Sequence, residues 1–139
     1  MTPQELDKYT AGLTADQTEA IHRLRELILK YNPEMVESVN TGKWLTGMII
    51  YGVGDGPFIF ALGPRPEGMT SLHMMPYYGS AVLREKHGAA FKKFETGKSC
   101  ILFKKVADLP RQGLIDVMDK GTKAVVEILQ ARKKKPGKK

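Results

Sequence analysis

The 139-residue chain is 42% hydrophobic and 27% charged, with a single cysteine. That length suits one domain able to bury roughly two-thirds of the surface its unfolded chain exposes, without disulfide or metal. No window approaches the ~18 unbroken apolar residues of a membrane span, no basic-then-apolar leader opens the chain, and the lone Cys100 excludes an internal disulfide; a reducing cytoplasm is the expected location.

Residues 1–13 read as an extension before a domain spanning 14–131. Thr14-Ala15-Asp16-Gln17 is a capping box, in which hydroxyl and amide each satisfy an early backbone donor. Ile21, Leu24, Leu27, Ile28 and Tyr31 follow at helical spacing, and Asn32-Pro33 ends the helix because the residue before proline is driven out of the helical region. The period then changes to two. A short strand is expected around "MVESV", then "MIIYGV" and "FIFAL" flank the turn cluster Gly54-Asp55-Gly56-Pro57, and "GPRPEG" leads to "TSLHMM". Met48 and Ile50 fall on one face of their strand, and Ile49, Tyr51 and Val53 on the other. Both sides of this meander are apolar, so one needs helices and the other a different cover.

Gly79-Ser80 opens a second helix with Leu83, His87, Phe91 and Phe94 on one side and Gly88 as a candidate break. "KSCILFKKV" is a strand. Asp108 and Pro110 stand where a cap and a first-turn proline belong, and Leu114, Ile115, Met118, Val125, Ile128 and Leu129 stripe the last helix, weakened at Gly113 and Gly121. Six of the 22 basic residues lie in the final "RKKKPGKK", which leaves 16 against 15 acidic in the body. The basicity belongs to residues 132–139, a run of disordered composition that implies only weak, salt-sensitive contact with nucleic acid or an anionic surface.

Gly97-Lys98-Ser99 imitates the end of a phosphate-binding loop. The motif requires another glycine five residues before Gly97, where Lys92 stands, and it must open a helix. Here the trio follows a helix and enters a strand, so no helix N-terminus faces a phosphate and the glycine serves a turn.

The same block carries a resemblance. "TGKSCILFKKVADLP" with its following amphipathic helix resembles the C-terminal signature of the YdhG-like family of bacterial domains of unknown function, and "FALGPRPEGMTSLHM" is similar to that family's strand–turn–strand, with Pro66 in place of its usual lysine. Glu37 matches a frequently acidic position of the family. The resemblance spans residues 14–131 and implies an α+β domain, helices packed on one face of an antiparallel sheet of four to six strands, arranged as in frataxin. An iron-handling role is the alternative it carries. Asp16, Glu19 and Glu26 alternate with His22, Arg23, Arg25 and Lys30, a mixed solvated face rather than the carboxylate cluster iron wants.

Cys100 in a central strand reads as a small hydrophobe. His22, His73 and His87 lack metal-ligand spacing, and no catalytic constellation or cofactor motif emerges. What remains is a binding or adaptor domain. Glu37, Trp44, Arg65, His73, Met75, Tyr77 and Lys98 are the candidate contacts, on or near the strand face that the helices do not cover. Its occupant would be a small molecule, a protein partner or a second copy.

Overall fold

The structure, a computed structural model, describes residues 1–43, 45–53, 58–96 and 100–134, with the backbone alone at 129, 130 and 132–134. The Gly54–Pro57 cluster, Trp44, Gly97-Lys98-Ser99 and residues 135–139 lie outside the described residues, as does the side chain of Leu129.

The stretch expected to be a bare extension holds a helix, α1 (Pro3–Thr10). Thr2 and Glu5 cap it reciprocally, Pro3 occupies its first turn, and it buries Leu6. The second capping box forms as expected at α2 (Ala15–Tyr31), which buries Ala20, Ile21, Leu24 and Ile28 and ends at Asn32. Gln17 has a further task. Its Nε2 donates to the carbonyls of Arg65 and Met69, at 3.0 and 2.8 Å, and so pins the helix start to a strand turn.

Six strands follow: β1 (Val36–Val39), β2 (Ile49–Gly52), β3 (Phe58–Arg65), β4 (Met69–Met74), β5 (Glu95–Thr96) and β6 (Cys100–Phe103). They pair antiparallel throughout in the order β1-β2-β3-β4-β6-β5. The expected reversal at "GPRPEG" is shorter than that. Gly63, Pro64 and Arg65 stay in β3, and only Pro66–Gly68 turns, with Glu67 at φ 62 and Gly68 at φ 76.

Between β4 and β5 run α3 (Met75–Tyr78) and α4 (Ala81–Phe91), the latter capped by Ser80 and unbroken at Gly88. Asp108 does not cap the next helix. It closes a 3-10 turn, Val106–Asp108, and Pro110 takes the cap position without a side-chain bond. The last helical run is α5 (Arg111–Asp116), a π turn (Val117–Gly121) and α6 (Thr122–Lys134), which enters the basic run expected to be unstructured. The π turn inserts an extra residue into the helical repeat and shifts the apolar stripe. Leu114, Val117 and Met118 are buried, whereas Ile128 is left exposed.

One core holds the layers together. Ile49, Tyr51, Phe60, Leu62, Leu72, Met74, Ile101 and Phe103 are each at most 1% exposed, and the pairings Ile49↔Leu62↔Leu72↔Ile101 and Tyr51↔Phe60↔Met74 put them on one sheet face. Burying each contributes roughly 1.5–3 kcal/mol. The buried residues of α1 to α5 join the same cluster. Strict alternation would turn Ile59 away from it. A β-bulge intervenes, with Tyr51 opposite Phe60 and Gly52 opposite Phe58, so Ile59 is the extra residue and packs into the core.

The helices meet at glycine. A Cβ on Gly113 would lie 2.8 Å from Phe91 Cε2. Gly113→Ala should therefore lower stability by about 1–2 kcal/mol, because ring displacement outweighs a helix-propensity gain of up to ~1 kcal/mol; urea midpoints measure it. Glu67→Gly should do the opposite. Relief of a left-handed residue, ~1–2 kcal/mol, exceeds the added unfolded-state entropy, for a net gain of about 0.5–1 kcal/mol in the same assay.

Candidate functional site

The helix-free face is laid out by register. Ser38, Ile50, Ala61, His73, Cys100 and Thr96 form one row across all six strands through the successive pairs Ser38↔Ile50, Ile50↔Ala61, Ala61↔His73, His73↔Cys100 and Cys100↔Thr96. Beside it runs a shorter row, Gly63, Ser71 and Leu102. Ile50, His73, Cys100 and Leu102 are half-buried, and none of Ile50, Ala61 and Leu102 belongs to the helix-side core. The middle of this face carries small residues, Ala61, Gly63 and Ser71. Met48 lies across Gly63, where a Cβ would come 2.9 Å from Met48 Cγ. At the β1 edge Val36 is 57% exposed.

Of the expected contacts, Arg65 and His73 share this face. Burial, and then the positive charge of Arg65, lower the His73 pKa, so the imidazole is neutral at pH 7. Cys100 is half-buried rather than a core residue. Its Sγ donates to the Thr96 carbonyl at 3.1 Å and lies 3.1 Å from the Thr96 hydroxyl, and the Tyr78 hydroxyl donates to its carbonyl. Met75 is exposed at the start of α3. Tyr77, by contrast, belongs to the core: its ring packs edge-on against Phe91 and Tyr78, and its hydroxyl donates to Glu95 at 3.3 Å. Trp44 and Lys98 lie outside the described residues.

Glu37 also faces the helices. Its carboxylate, with the side chain 5% exposed, accepts from Arg25 Nε at 2.7 Å, Arg25 Nη2 at 3.1 Å and the Tyr51 hydroxyl at 2.7 Å, and the Met1 amino group stands 3.3 Å away. Burial pushes the Glu37 pKa up, but the hydrogen bonds from Arg25 and Tyr51 outweigh it and hold the group below its ordinary value. Burial and the same carboxylate raise Tyr51 out of the physiological range. This bridge joins α2 to β1 and β2. Nothing in the local sequence announces it, since Arg25 and Glu37 sit on different elements.

A second pair was equally invisible in sequence. His87 Nε2 lies 2.8 Å from Asp116 Oδ2, Gln112 Nε2 donates to Oδ1 at 2.9 Å, and Lys86 stands 3.4 Å away. The hydrogen bond from His87 is the main cause of the lowered Asp116 pKa. Gly113 packs against this imidazole. The pair therefore fastens α4 to α5. Among the described residues no three His, Cys, Asp or Glu side chains gather as metal ligands, and no helix is long and apolar enough to cross a membrane.

The Glu37 bridge makes stability pH-dependent. A depressed folded pKa means stabilisation that is complete above the unfolded carboxylate range, near pH 4.3, and is lost as pH falls through the folded value. Glu37→Gln should cost about 2–4 kcal/mol at pH 7, less at pH 3, because it leaves Arg25 without its carboxylate; chemical denaturation across pH measures both.

No family model and no curated protein matches the sequence. Among solved structures, the crystal structure of a DUF1801-family protein from Bacillus subtilis, YdhG, superposes with a TM-score of 0.57 over 86% of this chain and 88% of the other, at 13% identity. At that identity the likeness establishes the arrangement of helices and strands, and it agrees with the resemblance read from the sequence. The chain is an α+β domain with the YdhG fold.

Proposed function

We propose that this YdhG-like domain self-associates through the face of its sheet that the described helices leave uncovered, a second copy of the chain being its occupant. The observation that carries this reading is the row Ile50–Ala61–His73–Cys100, half-buried apart from the buried Ala61 and without a Lys, Arg, Asp or Glu. Small ligands favour concave sites with convergent polar groups, whereas a sheet face carrying Ile50, Ala61 and Leu102 and no charged side chain in its main row suits burial against another protein surface. Arg65 borders the face, and with Met75 it supplies polar and adaptable rim contacts.

The iron-handling alternative draws no support from α2, whose Glu19 is paired with Arg23 at 3.1 Å. The nucleic-acid alternative rests on side chains outside those described.

Sedimentation velocity between ~5 and ~200 µM tests the proposal, the range in which an interface of modest area self-associates. The expected result is a concentration-dependent dimer that Ile50→Lys and Leu102→Lys each weaken at least tenfold while remaining folded. A wild-type monomer throughout, or a dimer indifferent to both substitutions, overturns it.

A further inference from the structure

On the opposite side of the molecule, where α2, the Val106–Asp108 turn and α5 meet, lies a cleft of about 180 Å³. It is smaller and more enclosed than the hollows beside Lys92 and Lys93 and along the outer face of α2. We infer that this cleft binds a small organic monocarboxylate with a compact apolar body.

The floor is apolar: Leu109 and Leu114 are buried, and half-buried Leu27 flanks them. An apolar space of ~150 Å³ accepts a benzene-sized guest, so the cleft accommodates one ring or a short alkyl chain. The rim is cationic. Arg23, Lys30 and Arg111 stand around it against the single carboxylate of Glu26. Arg23 is held only by an exposed pair with Glu19, which is weak and readily exchanged. Lys30 leans over the Tyr31 ring, and Arg111 has no carboxylate partner among the described residues.

Three cationic side chains and one carboxylate line a cleft with an apolar floor, so an anion seated there meets a net positive rim. The planar fork of Arg111 matches a carboxylate bidentately. The apolar floor decides between anions: Leu27, Leu109 and Leu114 reward a ligand with an apolar body and offer a fully hydrated phosphate nothing, while Glu26 lowers the net charge of the rim. Apolar floor and cationic rim together thus select a ligand that is oily at one end and singly charged at the other.

The experiment titrates benzoate, benzyl alcohol and inorganic phosphate into the full-length protein, followed by amide chemical shifts and by calorimetry. Benzoate is expected to saturate with a Kd on the order of 0.1–1 mM, as befits nine non-hydrogen atoms at ordinary ligand efficiency. Its shifts should be centred on Leu27, Ala107 and Leu109. Benzyl alcohol and phosphate should each bind at least tenfold more weakly. Arg111→Met should weaken benzoate at least tenfold with the thermal midpoint unchanged, and Lys30→Met should weaken it less, as expected for a point charge beside a fork. Benzyl alcohol binding as well as benzoate would show a merely hydrophobic hollow, and phosphate binding as well would show a merely cationic surface; either overturns the inference. So does benzoate affinity unchanged in Arg111→Met, or no saturation at all.

Discussion

A sheet has two faces, and this chain has helices for one. That inequality governs the molecule. The row of large side chains from Ile49 through Leu62 and Leu72 to Ile101 requires a cover, and α2 lies across it with its own stripe of Ala20, Ile21, Leu24 and Ile28. Once that layer is formed, every feature of the other side follows from having no helix above it. Its main row is buried at Ala61, half-buried at Ile50, His73 and Cys100, exposed at the edge residues Ser38 and Thr96, and holds no Lys, Arg, Asp or Glu. The bulge at Ile59 reinforces the asymmetry, since it moves one more large side chain to the covered side.

Apolar burial is non-directional, and two polar joints supply the direction that it lacks. The Glu37 carboxylate fixes α2 over β1 and β2 through Arg25 and Tyr51. The Asp116 carboxylate fixes α5 beside α4 through His87. Asn32 adds a third tie: its side-chain amide donates to Met118 O at 2.7 Å, inside the π turn. Irregular helical turns leave carbonyls off the regular ladder, and here a buried amide takes one up. Each joint costs desolvation and returns a single geometry.

The two proposed surfaces lie on opposite layers and are unlike in chemistry. The sheet face carries no charged side chain in its main row, which suits excluding water over an area. The cleft between α2 and α5 is small and rimmed by guanidinium and ammonium groups, suited to one short ligand. The two surfaces are therefore independent, since neither shares a residue with the other.

Local spacing suffices for whatever depends on neighbours three or four residues apart. The Thr14–Gln17 capping box, the α2 stripe, the Ser80 cap, and the alternation that sets Ile49 and Tyr51 against Ile50 are all as the spacing required. The alternation leaves both faces apolar, and the cover of a single face is what the YdhG resemblance implies. The short α1 escaped notice because eight residues with one buried leucine make a poor period, although its own Thr2–Glu5 box was present to be read. Contacts between distant segments settle the rest: that Glu37 faces inward to Arg25, that Tyr77 is core, that His87 meets Asp116, and that a π turn displaces the last stripe. These depend on groups distant in the chain being desolvated together, and local spacing carries no record of which distant group will be the partner.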